Sequence, residues 1–207
     1  TSLLMDPFSE SIGLRVPPKI ASAGIITRST PASLIQENDT EQDAEGNTGT
    51  PTCLDGPGEY EVGGAYIKAI RVSAPAPDGD KPQWNTIFTI NLEGMSVCHL
   101  GNPSHMLTTR QIEDLGSPHI LLVPVGSQEG LSVLQAVETI NAISPRIIIP
   151  MMFAHPGNNA PVRELTPFLQ EYGGSLTADG QPKLTMTRNN LPEDPQLVLL
   201  KPTAPPI

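Results

Sequence analysis

The residues of this chain that could do chemistry are few and widely spaced. His99 and His105 flank Asn102 in HLGNPSH (99–105), His155 follows Met152 in PMMFAH (150–155), and Asp6 ends the apolar run SLLMD (2–6). Imidazole and carboxylate are the groups that hold zinc or carry protons. Two His and an Asn, with no carboxylate pair brought in by spacing, make a poor zinc site. His105 and His155 therefore read as loop or core-edge histidines, and His99, inside an apolar strand, as a hydrogen-bonded half-buried imidazole. Asp6 is expected to bond backbone at its strand end. Glu59 and Glu61 stand at i and i+2 and share one strand face, the spacing a carboxylate pair would need for acid–base work. Ser104 in GNPSH lacks the Gly two residues on that a nucleophile elbow requires. No GxxxxGK[ST] or GxGxxG phosphate cradle occurs.

These residues must be positioned by a layered scaffold. Strands are expected at 2–6, 20–27, 59–73 (a hairpin about Gly63-Gly64), 85–101 (a hairpin about Glu93-Gly94), 119–126, 146–153, and late in the chain at KLTMTR and QLVLLKP. Pro31 suits the first turn of a helix capped by Thr30. Thr108 and Gln111 form a capping box for a helix that Gly116 ends. LSVLQAVETINAI (131–143) places Val133, Leu134, Val137 and Ile140 on one helical face, and a third helix spans 160–174 despite Pro167. The acidic stretch 37–52 reads as a long mobile loop, and 74–83 as a Pro-rich one. Continuous apolar strands such as ILLVPV and RIIIP are covered on both faces. Helices outside and sheet inside follow, with functional loops at the C-terminal strand ends: Asp6, 27–33, 101–105, 126–129 and 151–155.

Bulk composition excludes several classes. With 207 residues, 38% apolar and 16% charged, the chain can bury one substantial core. A formal charge of −10 argues against nucleic acid and anionic membranes as partners. Cys53 and Cys98 lie far apart, outside any CxxC, and read as buried thiols in a reducing, cytoplasmic compartment. No stretch approaches the ~20 apolar residues of a membrane span, and TSLLMDPF carries no basic leader.

Five segments in order, MDPFSESIGLRVPP, LDGPGEYEVGGAYIKAI, NTIFTINLEGMSVCHLG, ILLVPVG and PRIIIPMMF, resemble the metallo-β-lactamase-fold hydrolases, in the branch of small zinc-dependent hydrolase-like proteins that carry a GPGEYEVGG segment. The similarity runs from Leu3 to about Pro202. It implies an α/β (α+β) fold, a four-layer αββα sandwich with a metal site at one edge between the two sheets, as a single domain over 1–202 with a Pro-rich tail at 203–207. It also implies a strand and hairpin ahead of Leu3 that this sequence does not contain, and it makes the GPGEYEVGG block with Glu59 and Glu61 a structural turn.

The same resemblance supplies a ligand pattern against which this chain can be checked. In the family a strand end carries H-x-H-x-D-H. On ITRSTPAS, with Pro31 fixing the register, those ligands fall on Arg28, Thr30, Ala32 and Ser33. A later His falls near Ser73 or Ala74, the bridging Asp on Asn102, and the last His on Met152. No charge remains there to hold a divalent cation, and Met152 offers a thioether that suits copper(I) rather than zinc. The expected cofactor is therefore none, with no metal ligands and no catalytic residue. Three functions follow as expectations. One is an inactive member acting as a binding or assembly subunit, with a protein partner or a homo-oligomer. Another is a hydrolase whose metal is held by a rearranged set such as Asn102, His105 and His155, or by residues of the segment that the resemblance places ahead of Leu3. The third is a module that binds an anionic small molecule through Arg28, with Asp6, Asn102, His105 and His155 nearby.

Overall fold

The computed structural model describes residues 1–8, 12–13, 23–30, 51–73, 84–173 and 180–201. The helix expected after Pro31, most of the acidic loop 37–52, the Pro-rich loop 74–83 and the tail 203–207 lie outside the described residues, as do Ala32, Ser33 and Ala74.

Two sheets form among the described residues. The smaller one is parallel, ordered β1 (Leu3–Met5), β2 (Ile25–Thr27), β3 (Thr52–Leu54). The larger has seven strands in the order β10 (Gln196–Leu197), β9 (Ile147–Met151), β8 (Ile120–Pro124), β7 (Met95–His99), β6 (Trp84–Leu92), β5 (Ala65–Ser73) and β4 (Gly58–Val62). Its β4 to β7 half is antiparallel, joined by the two expected hairpins, and its β7 to β10 half is parallel. The parallel half is where helices must cross over: α1 (Thr109–Leu115) follows β7 and α2 (Val133–Ile143) follows β8. A third helix, α3 (Thr166–Tyr172), packs on α2.

Strand alternation sorts the core into two sides of the large sheet. Val72, Ile87, Cys98, Leu121, Val123 and Ile148 meet the helices through Ala136, Val137, Ile140 and Phe168. On the opposite face, Ile67, Ala69, Phe88 and Ile90 meet Ile25 and Leu54 of the small sheet. Further along that face, Ile120, Ile147 and Ile149 are covered by Leu184, Met186 and Leu191.

Several expectations need correction. Thr52–Leu54 is the third strand of the small sheet rather than the end of a loop. It is too short and too polar at its start to show a period. Cys53 is exposed there, and only Cys98 is a buried thiol, its pKa pushed up to about 12 by burial. The buried stripe of α2 is Ala136, Val137, Ile140 and Ile143, and Leu134 is 55% exposed. α3 begins at Thr166, because Pro167 is a first-turn residue rather than an interior one. KLTMTR forms no strand, and QLVLLKP contributes only Gln196–Leu197. The capping boxes Thr108–Gln111 and Ser132–Gln135 both form, the second one not foreseen.

Leu121 is fully buried between the sheet and the helices. Leu121→Ala should cost about 2–5 kcal/mol of unfolding free energy, measured by urea denaturation.

Candidate functional site

The C-terminal ends of β1 and β2 meet the end of β7 at one corner between the two sheets, and the small sheet delivers its polar residues there. Asp6 leaves β1 in a left-handed conformation (φ 44) with its N–H bonded to Thr27 O at 3.0 Å. That turn aims its carboxylate at β2, where Oδ1 accepts the Ser29 N–H at 2.6 Å. Ser29 O in turn accepts the Thr86 N–H of β6 at 2.7 Å, which stitches the small sheet to the large one.

His99, the last residue of β7, closes the cluster. It is 4% exposed. Its Nδ1 accepts the Gly101 N–H at 3.1 Å, lies 3.5 Å from Ser29 Oγ and 3.8 Å from Asp6 Oδ2. A ring nitrogen that accepts an amide N–H carries no proton, so the ring proton sits on Nε2 and the imidazole is neutral. Burial lowers the His99 pKa from 6.5, against the opposing pull of the Asp6 carboxylate. Ser29, His99 and Asp6 are therefore no nucleophilic triad. Hydroxyl and carboxylate both face the same ring nitrogen, whereas a triad needs one on each.

Asn85 supports the next turn. Its Nδ2 donates to Leu100 O at 2.7 Å and its Oδ1 accepts the Asn102 N–H at 2.7 Å. Gly101 (φ 65) sits so close that an added Cβ would overlap Asn85 Oδ1 and the Ser29 side chain. Ser29 and Asn85 thus fill the space beside Gly101. Asn102 Oδ1 and His105 Nδ1 are buried atoms without a hydrogen bond among the described residues.

Of the other residues singled out from the sequence, two adjoin Ser29 in the chain. Arg28 and Thr30 are half-buried on either side of Ser29, and the Arg28 N–H donates to Leu54 O at 2.9 Å. Met152 directly follows β9 in a left-handed conformation (φ 57) and is 39% exposed. His155 is half-buried, its Nδ1 2.9 Å from Pro156 O. Among the described residues no group of three or more His, Cys, Asp or Glu comes together that could hold a metal ion. Among the described residues the donor set at the corner does not fit zinc: one carboxylate, which accepts an amide N–H through Oδ1, one neutral imidazole whose Nδ1 is taken, and otherwise hydroxyls, amides and the Arg28 guanidinium. Glu59 and Glu61 lie far from it in sequence register, on the exposed face of the edge strand β4, opposite Lys68 and Tyr66.

Ser29 and Asn85 are the two residues that sequence reasoning missed. Ser29 falls between two positions of the ligand pattern, and Asn85 opens an apolar strand, where a polar residue 4% exposed is the available signal.

A helix layer over a mixed sheet, backed by a second sheet with a polar corner between them, defines the class of metallo-β-lactamase-like αββα proteins. The chain belongs to that superfamily: the family described as the β-lactamase superfamily domain matches residues 1–152. Among curated relatives, a UPF0173 metal-dependent hydrolase of Methanosarcina mazei is 33% identical over 88 residues, 42% of this chain and 37% of that protein. One of Pyrococcus abyssi is 25% identical over 137 residues, 65% of this chain and 61% of that one. These matches thus span less than two thirds of the relatives' length. A solved structure from Thermotoga maritima, described as a Zn-dependent hydrolase of the metallo-β-lactamase superfamily, superposes with a TM-score of 0.65 at 25% identity, covering 96% of this chain and 88% of that one. A second, from Parabacteroides distasonis, gives 0.53 at 18% identity, over 82% and 79%, and shares the fold.

Two outcomes test the geometry. The unfolded chain binds protons at His99 below pH 6.5 more readily than the folded one, so stability present above that pH is lost as pH falls toward the lowered folded pKa. Urea unfolding at about pH 7.5 and about pH 5.5 should show a drop that His99→Gln diminishes. Replacing Met152 by Gly should relieve the left-handed strain and raise stability by up to about 1 kcal/mol, whereas Gly101→Ala should destabilise by more than that.

Proposed function

We propose that this chain is a superfamily member that has lost metal-dependent hydrolysis and serves as a binding or assembly subunit. The observation that carries this reading is the filled corner. Asp6 is committed to the Ser29 amide, and the side chains of Ser29 and Asn85 occupy the space beside Gly101. A doubly charged ion needs several anionic or imidazole donors to offset its lost hydration. Arg28, Thr30, Asn102 and Met152, at positions where the resemblance expects ligands, supply none with charge of the right sign. The core around the corner is intact, which suits a domain kept for its surface.

A second reading is favoured by the relatives, which are named metal-dependent hydrolases, and by the two buried atoms Asn102 Oδ1 and His105 Nδ1 on one loop. In it, Asn102, His105 and His155 would form a rearranged site.

Elemental analysis of protein purified without chelator and then equilibrated with zinc or manganese separates the two. Substoichiometric metal and no turnover of ester, lactam or phosphodiester substrates is the expected result. Stoichiometric metal, with turnover abolished in His105→Ala, would establish the hydrolase instead.

A further inference from the structure

A cavity of about 300 Å³ opens on the helix side of the seven-stranded sheet, past the C-terminal end of α1. It lies on the opposite face of the sheet from His99. Strand alternation explains its character. Where the helices cover this face, β5 to β7 present Ile70, Val72, Ile87 and Cys98. Beyond α1 the same face turns polar and presents Tyr66, Lys68, Thr89, Asn91 and Ser96. The last turn of α1 adds Glu113 and Asp114, and the segment 115–118 forms the rim.

Two features point to an occupant. Thr89 is 5% exposed and lines the cavity, yet its Oγ1 makes no regular hydrogen bond; across the strands it faces Lys68 and the thiol of Cys98, a weak acceptor. Buried hydroxyls are ordinarily satisfied. The charges of the lining, by contrast, are largely spent: Lys68 Nζ lies 3.4 Å from Asp114 Oδ1. Tyr66 donates its hydroxyl to Glu59 on the adjacent strand, while its ring stays 43% exposed.

We propose that this cavity binds a small neutral polyhydroxylated ligand about the size of one sugar ring. Neighbouring hydroxyls donate and accept together. The Asn91 amide and Lys68 ammonium supply donors, Glu113 and Asp114 supply acceptors, Thr89 serves as either, and the Tyr66 ring offers a flat apolar face to ring C–H groups. The volume is at the lower end of the ~300–1,000 Å³ of small-ligand sites. A charged ligand finds no unspent counter-charge beyond Glu113. The site stands independently of whether the corner at His99 holds a metal.

Saturation-transfer NMR on the full chain tests it with glucose, galactose and mannose, and with acetate and glycine betaine as charged comparators. At least one hexose should receive saturation. Ser117→Trp, at the exposed rim, should abolish the signal. Thr89→Val should weaken binding about tenfold, the effect of one hydrogen bond, with little change in Tm, because in the unliganded fold the hydroxyl it removes has only the weak contact with the Cys98 thiol. Absence of signal from every hexose, saturation of the charged comparators alone, or a hexose signal that survives Ser117→Trp would overturn the proposal.

Discussion

The hydrogen bond from the Ser29 main-chain N–H to the Asp6 carboxylate, at 2.6 Å, is the constraint on which the corner depends. It takes up the nearest carboxylate, fixes β1 against β2, and sets Ser29 so that its carbonyl can accept Thr86 N–H from the large sheet. Charge-assisted bonds of this kind are stronger than neutral ones. Once it forms, Ser29 and Asn85 fill the space beside Gly101, and His99 is left with its unprotonated nitrogen facing an amide. The two sheets are therefore joined at this corner by a compact set of polar contacts.

Backbone and side chains tell different stories at this corner. Asp6 and Met152, two of the four non-glycine residues with positive φ among the described residues, directly follow strands β1 and β9. The other two, Glu93 and Ser144, sit in a hairpin turn and at a helix end, where such geometry is routine. Left-handed strand ends aim side chains into a crevice at an energetic cost. Asp6 presents a carboxylate that accepts the Ser29 N–H, and Met152 is 39% exposed. The backbone is strained at both strand ends, and at β1 the carboxylate it presents is bonded to a neighbouring main-chain amide.

Much of the fold was legible because the signals were local. The Thr108–Gln111 box, the Glu93-Gly94 turn and the uninterrupted apolar runs of β8 and β9 each specify their element without help from distant residues. What failed was decided by tertiary context. Leu134 matched the helical period, yet Val137, Ile140 and Ile143 with Ala136 define the face that packs, because a period fixes a stripe only to within a residue or so of rotation. β3 is held by parallel pairing to β2 over three residues, too few to show alternation. The family resemblance singled out Arg28, Thr30, Asn102 and Met152, but the packing of Ser29 and Asn85 beside Gly101 could not be read from it. It arises where β2, β6 and β7 converge, and no single segment records it.

The ring of His99 reports the state of the corner directly. Long-range ¹⁵N–¹H spectra of the histidine side chains, recorded during a zinc titration near neutral pH, would read it. The neutral Nε2–H tautomer with an accepting Nδ1, unchanged by added zinc, is the predicted result. A His99 or His105 nitrogen that moves stoichiometrically to a metal-bound shift would contradict the filled, metal-free corner.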